Sequence, residues 1–326
     1  MGSRPKIGLA LGGGSARGLC HIGVLKVLHK NKIYPDYIAG TSMGSIIGAL
    51  YAAGHTPEQI EELFKTTDWK NSIDFTIPGQ GIIEGYFIES EIKKVIGNKK
   101  FSELQIPFRA VSVNLDTKKK VVFSKGNVAR AVHASSAIPG IFAPVIIGKH
   151  RYVDGVLADP TPYDVVKEMG ADIIIAVDLF QRYTTAKPPQ VEERTLTDEL
   201  KEKFIAEELL NVKSYLTFSR FPKFVDRLMQ KLFDRVFNPK KIMDHMAKKE
   251  YLPLVGIIYE STNIMYNNFA KEKLKNAPID ILILPKFKHS TWTEFDQVDK
   301  LVKLGEEATK QKMPKLKKLM RTKRPS

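Results

Sequence analysis

"IAGTSMGSIIGALYAAG", residues 38–54, sets a serine between glycines and runs it straight into small apolar residues. An apolar run that ends in Gly40-Thr41-Ser42-Met43-Gly44 and continues as a helix is the G-x-S-x-G pattern. There the serine must sit in a sharp, strained turn to expose its hydroxyl, and glycines on either side let strand and helix pass closely. The helix that follows supplies small residues for that approach and ends at Gly54, a residue suited to a helix C-terminus. Ser42 would then lie beside the positive end of the helix, where developing negative charge is favoured. The same pattern also fits a tight strand-to-helix turn with a structural serine, so its surroundings have to decide.

Outward from this stretch, strand-like apolar runs occur at 6–12, 36–40, 108–115, 120–124, 143–148 and 172–179, with helical patterns between them. That alternation predicts an α/β fold with a mainly parallel sheet sandwiched by helices. Thr56, Pro57 and Gln59 form an N-cap, a first-turn proline and a capping-box partner. Thr161, Pro162 and Gly170 bracket a second short helix, and "IGKH" at 147–150 reads as a tight hairpin turn. From Gln181 to Arg194 a polar linker containing "KPPQ" interrupts the pattern, and the periodicity is helical from there to about residue 250. A buried strand at 279–285 and an amphipathic helix near 294–311 then resume the α/β style, so 181–250 reads as a helical insertion within one domain spanning 1–326.

The 326 residues are enough for one large α/β domain, or two small ones, with a core big enough to stand alone. A single cysteine, Cys20, rules out an internal disulfide framework. No window reaches the ~18 apolar residues of a membrane-spanning helix. The apolar "IGLALGGG" after Arg4 and Lys6 is broken by glycines and Arg17 before a signal-peptide core is complete, and Lys6 stands where the myristoylation pattern has Ser or Thr. A cytoplasmic location with peripheral membrane association is expected. Of a formal charge of +15, eight lysines and arginines and no acid fall in the basic C-terminal tail, 310–326. Within 220–241, Phe221, Phe224, Val225, Leu228, Leu232 and Val236 share a helical stripe beside Lys223, Arg227, Lys231 and Arg235. An apolar face flanked by cations suits an anionic lipid surface, though a helix packed over the sheet and a solvated tail fit the same residues.

An acyl-transfer site also needs backbone N–H donors for an oxyanion, and "LGGGSARGLCHIG" at 11–23 exposes consecutive glycines after the first strand. A dinucleotide loop would place an acid about 20 residues on, at the end of the second strand. Asp36 opens that strand instead, and no G-K-[ST] of a phosphate loop is present. For a base, His245 or His289 could complete a triad with Asp154 in the usual hydrolase order, yet too little chain precedes Ser42 for the usual hydrolase sheet. The other arrangement is a dyad in which a carboxylate takes the serine proton directly. Asp154-Gly155 ends a strand, and a free aspartate with a pKa near ~3.9 must be desolvated to act as a base. Asp178, ending "IIIAVD", is a second strand-end carboxylate. His21 and His133 read as helix-surface or core-edge residues. No metal-ligand spacing is present, and no cofactor is expected.

"GGGSARG", "GTSMG", "ASSAIPGIFAPV" and "VDG" followed by "DPTPYDVVKEMGADIIIAVDL" resemble the successive blocks of the patatin-like phospholipases, in order over about 1–180. The resemblance implies a Ser–Asp dyad without histidine that hydrolyses acyl esters of lipids. It makes Ser42 the nucleophile, Asp154 the base and Gly155 its motif partner. Gly40 and Gly44 flank the elbow, and Gly12, Gly13 and Gly14 with Arg17 form the oxyanion loop. The expected substrate is a phospholipid or lysophospholipid, with an anionic membrane surface met through 220–241 and the basic tail and no nucleic-acid partner; self-association is left open. A soluble-ester or thioester hydrolase, or a weakly active lipid-binding protein of this fold, are the other readings. Two positions depart from the family pattern. Ser15 stands where another glycine is common, and Val156 where Gly or Ala is usual.

Overall fold

The computed structural model describes residues 4–67, 85–180, 251–287 and 294–323. The 181–194 linker, the rest of the 181–250 insertion with its 220–241 stripe, His245 and His289 lie outside the described residues.

In chain order the elements are β1 (Ile7–Leu11), α1 (Cys20–Lys30), β2 (Tyr37–Thr41), α2 (Met43–Ala52), α3 (Pro57–Thr66), α4 (Tyr86–Ile96), β3 (Phe108–Asn114), β4 (Lys119–Phe123) and α5 (Val128–Ser135). They continue as β5 (Val145–Ile147), β6 (His150–Asp154), α6 (Tyr163–Glu168), β7 (Ile173–Val177), α7 (Tyr251–Lys275), β8 (Ile281–Ile283) and α8 (Val298–Thr322). Strands β3-β2-β1-β7-β8 run parallel, while β4, β5 and β6 form an antiparallel margin on β3. This is the mainly parallel, helix-flanked sheet that the apolar runs predict.

The parallel strands read as near-continuous apolar runs because both their faces are covered. Ile7, Leu9 and Leu11 of β1 enter the large core beneath α1, α2 and α8, whereas Ala10 enters a smaller one with Val165 and Val166 of α6. The small residues on that second face are required: a Cβ at Gly8 would lie 2.6 Å from the Ala171 Cβ.

Strand β3 positions the site. Its residues Ala110–Asn114 pair with β4 along one edge, so β2 and β6 must share the other. On that edge Val111 is opposite Thr41, the last residue of β2, and Ser112 is opposite Asp154, the last residue of β6. Two strands running in opposite directions therefore finish against each other, and their ends bring Ser42 and Asp154 together.

Local signals explain the punctuation. Thr56 and Gln59 make both hydrogen bonds of a capping box. The hairpin turns between Ile147 and His150 with Gly148 at a φ of 63°, a left-handed value that glycine adopts without steric cost. At α6 the expectation needs correcting. Pro162 is the capping residue, and the Thr161 hydroxyl donates instead to Asp178 at 2.9 Å.

Helix α8 runs well past the expected end near 311. Met313 and Leu316 are buried and continue the apolar stripe among the lysines, with Pro314 inside the helix. Thus the basic stretch 310–322 is the last half of a packed helix. Lys323 is paired with Asp280 at 2.7 Å, immediately before β8. The lysine-rich end of α8 consequently lies at the N-terminal edge of the parallel strands, opposite the edge that carries Ser42.

Candidate active site

Ser42 links β2 to α2 with φ 54° and ψ −127°, a backbone conformation that a residue with a side chain adopts only under constraint. The glycines on either side are steric necessities: a Cβ at Gly40 would lie 2.4 Å from the Gly44 carbonyl oxygen, and one at Gly44 would lie 2.2 Å from that of Leu11. Hydrogen bonds hold the strained turn. The Ser42 N–H donates to Ser135 Oγ at 3.0 Å, and Ser135 Oγ donates to the Val111 carbonyl. The Ser42 carbonyl accepts from the N–H and the hydroxyl of Ser45, both at 2.7 Å. One residue earlier, the Thr41 hydroxyl donates to the Asp159 carbonyl at 2.8 Å.

Asp154 is 2% exposed. Its N–H donates to Ala137 O at 2.8 Å, and its Oδ1 accepts the Val156 N–H at 2.9 Å. Gly155 has to be glycine, since a Cβ would lie 2.3 Å from the Val111 carbonyl oxygen. Burial pushes the Asp154 carboxyl up to about 7, against the opposing pull of the Val156 N–H and of the Ser42 hydroxyl that faces it. The desolvation that the sequence could only require is thus supplied by the end of β6.

Among the described residues no imidazole hydrogen-bonds Ser42 or Asp154. Of the two positions expected for His21 and His133, a helix surface or the core edge, the structure rules out the surface, since both are buried. His133 faces Glu89 at 3.4 Å, and His21 Nε2 lies 2.7 Å from the Gly12 carbonyl oxygen. The Asp178 carboxylate is held by Thr161, so it serves to fix the loop after Asp154.

The glycine loop follows β1 and passes directly beside Ser42: a Cβ at Gly13 would lie 3.3 Å from Ser42 Cβ and 2.4 Å from Val156 Cγ2. Val156, bulkier than the family pattern, therefore packs on a position that only glycine can occupy. The division of labour in the loop differs from the expectation. The Gly12 N–H donates to Val177 O at 3.0 Å and the Gly13 N–H to Pro160 O at 2.9 Å, which removes both as oxyanion donors. The Gly14 N–H has no acceptor among the described residues, and neither do the first-turn amides of Met43 and Gly44. Arg17 turns its guanidinium over the Phe287 ring, 5.5 Å from the centroid, and contributes packing there. Ser15 has a φ of 49°, in the left-handed region that favours glycine, which accounts physically for the residue usually found at this place.

Ser135, His21 and the 159–161 loop had no assigned role in the sequence. Only "ASSAIPG" marked Ser135, and no local pattern reports a hydrogen bond to an amide 93 residues away.

The match to known proteins covers this machinery. Residues 9–167, from β1 to α6, match the family model described as patatin-like phospholipase. This segment is similar to the patatin-like phospholipases. An uncharacterized NTE family protein of Mycobacterium tuberculosis is 36% identical over 180 residues, 54% of this chain and 50% of that protein. Lysophospholipase NTE1 of Debaryomyces hansenii is 33% identical over 183 residues, 54% of this chain and 12% of that protein. The matched segment is thus half or less of these relatives' own length. Among solved structures, VipD from Legionella pneumophila superposes with a TM-score of 0.52 and 12% identity over 94% of this chain and 66% of its own, a likeness of fold. Gly12, Ser42 and Asp154 all lie inside the matched segment.

Proposed function

We propose that this patatin-like chain is a serine acyl hydrolase that cleaves acyl esters of phospholipids or lysophospholipids with Ser42 as nucleophile and Asp154 as base. The observation that carries the reading is a strained, glycine-flanked Ser42 facing a buried carboxylate whose pKa is raised to about 7. Ser42 Oγ attacks the ester carbonyl carbon while its proton passes to Asp154. The carbonyl oxygen becomes an oxyanion that accepts from Gly14 and Met43 N–H groups. Collapse expels the alcohol, which takes the proton back from Asp154 and leaves Ser42 acylated. Water, deprotonated by the same carboxylate, then attacks the acyl-enzyme, and collapse releases the fatty acid as Ser42 Oγ takes that proton back from Asp154. A carboxylate of pKa near 7 is a far better acceptor for these protons than one near ~3.9.

The ester-bearing lipid is presented at the C-terminal edge of the parallel strands. The basic end of α8 lies at the opposite edge, so approach to an anionic membrane is assigned to the 220–241 stripe alone. Incubation with a panel of defined phospholipids and lysophospholipids, read by mass spectrometry, tests the activity. Release of fatty acid from at least one lipid class, with loss of at least about 10³-fold in Ser42→Ala, is expected. Unchanged release by Ser42→Ala contradicts the assignment.

A further inference from the structure

His21 takes no part in the proposed proton transfers, yet it is a polar residue in a place where phenylalanine or leucine would pack. Its ring is fully buried at the start of α1. Nε2 lies 2.7 Å from the Gly12 carbonyl oxygen, an atom that only accepts, so Nε2 carries the proton. Burial pushes the ring's pKa down to about 4, which keeps it neutral. The other nitrogen, Nδ1, has no hydrogen-bond partner among the described residues. An imidazole placed at the cost of an orphan nitrogen is made for the one bond it does form.

That bond acts on a single peptide unit. The Gly12 carbonyl and the Gly13 N–H belong to the same plane, and the Gly13 N–H is itself tied to Pro160 O at 2.9 Å. With the Gly12 N–H bound to Val177 O at 3.0 Å, three hydrogen bonds fix two residues whose backbones are otherwise the freest to rotate. The next amide along the chain is that of Gly14, the loop donor without an acceptor.

We propose that His21 is a positioning residue for the oxyanion loop: its Nε2–H bond to the Gly12 carbonyl locks the Gly12–Gly13 peptide plane and so aims the Gly14 N–H at the carbonyl attacked by Ser42. This rests on the reading of Ser42 as nucleophile. Unlike the histidine of a triad, His21 carries no proton in the reaction and acts through backbone alone. Loss of its bond lets the plane rotate, and a misaimed donor costs transition-state stabilisation with little effect on ground-state binding.

Two variants test it on a p-nitrophenyl acyl ester. His21→Phe keeps the ring and removes the donor; His21→Gln keeps an N–H donor of similar reach. The expected result for His21→Phe is a kcat lower by about 10- to 100-fold with KM changed less than about threefold. The rate of Ser42 phosphonylation by a fluorophosphonate should fall in parallel, the pH midpoint set by Asp154 should stay in place, and His21→Gln should recover most of the loss. A folded His21→Phe with kcat within about threefold of the parent, or a loss confined to KM, overturns the proposal. If His21→Phe does not fold, His21→Gln and His21→Asn decide, because asparagine is too short to reach: equal activity of the two overturns it, and retention by glutamine alone upholds it. If the parent protein neither turns over the ester nor is phosphonylated at Ser42, the nucleophile reading fails and takes this one with it.

Discussion

At Ser42 and Asp154 the proposed chemistry depends on two costs that the rest of the fold sustains: a backbone φ of 54° and a buried carboxyl whose pKa is raised to about 7. The second has a measurable pH signature. Asp154 must be ionised to accept a proton, so kcat/KM is expected to rise with pH along a single ionisation with a midpoint near 7 and to level off above it. Stability has the opposite dependence. The folded protein holds this proton more tightly than the unfolded chain, so the Asp154 contribution falls as pH rises from the ordinary value of 3.8 through about 7. Asp154→Asn is therefore expected to lose activity while melting higher than the parent at pH 8, a difference that closes towards pH 4; a lower melting point at pH 8 contradicts the burial argument. The residue types of this pair were legible in the sequence from glycine spacing and family blocks. The supporting groups were not. Ser135 holds the Ser42 N–H and the Val111 carbonyl, and His21 the Gly12 carbonyl, by hydrogen bonds to backbone atoms distant in the chain or hidden by burial, and neither leaves a periodicity to read.

Among the elements, α1 and α8 meet backbone to backbone. A Cβ at Gly23 would lie 2.0 Å from the Val302 carbonyl oxygen, and one at Gly305 equally close to that of Cys20. Neither carbonyl can yield without moving its helix, so Gly305→Ala is expected to destabilise by about 1–3 kcal/mol, read as a lowered thermal midpoint. Ser15 offers the reverse case in the turn before α1. Its φ of 49° costs a side-chain-bearing residue about 1 kcal/mol, and Ser15→Gly should recover that and leave turnover intact. Strands of the parallel sheet were readable because each is a continuous apolar run buried on both faces. The latter half of α8 was not, because Met313 and Leu316 stand among lysines on either side of Pro314, a sequence that looks like a helix stop followed by a solvated tail. Helix α7 goes beyond the expectation as well, since the sequence predicts helical periodicity only to about residue 250 and the helix spans Tyr251–Lys275.

Across the whole molecule, the parallel sheet has one edge that carries the proposed reactive groups and an opposite, basic edge. The loops after β1 and β2, together with Asp154, form the first; the Lys323–Asp280 pair anchors the second. On the proposed reading, this polarity predicts which charges meet an anionic lipid surface. Replacing Lys315, Lys317, Lys318 and Arg321 with glutamate should leave co-sedimentation with anionic vesicles close to that of the parent, whereas charge reversal of Lys223, Arg227, Lys231 and Arg235 should reduce it severalfold; the opposite ranking would reassign the membrane-facing edge. The fold class could be read from the order of strands and helices. The meeting of Ser42 with Asp154 was implied by the family resemblance but not by the residue pattern itself, because it depends on β2 and β6 dividing one edge of β3, and register between strands is absent from a linear pattern. The proposed chemistry turns on that meeting. Peptide mapping after fluorophosphonate treatment tests it most directly: the phosphonyl mass is predicted on the Ser42 peptide of the native protein and strongly reduced on that of Asp154→Asn, and an adduct on another residue, or equal labelling of the two proteins, would contradict it.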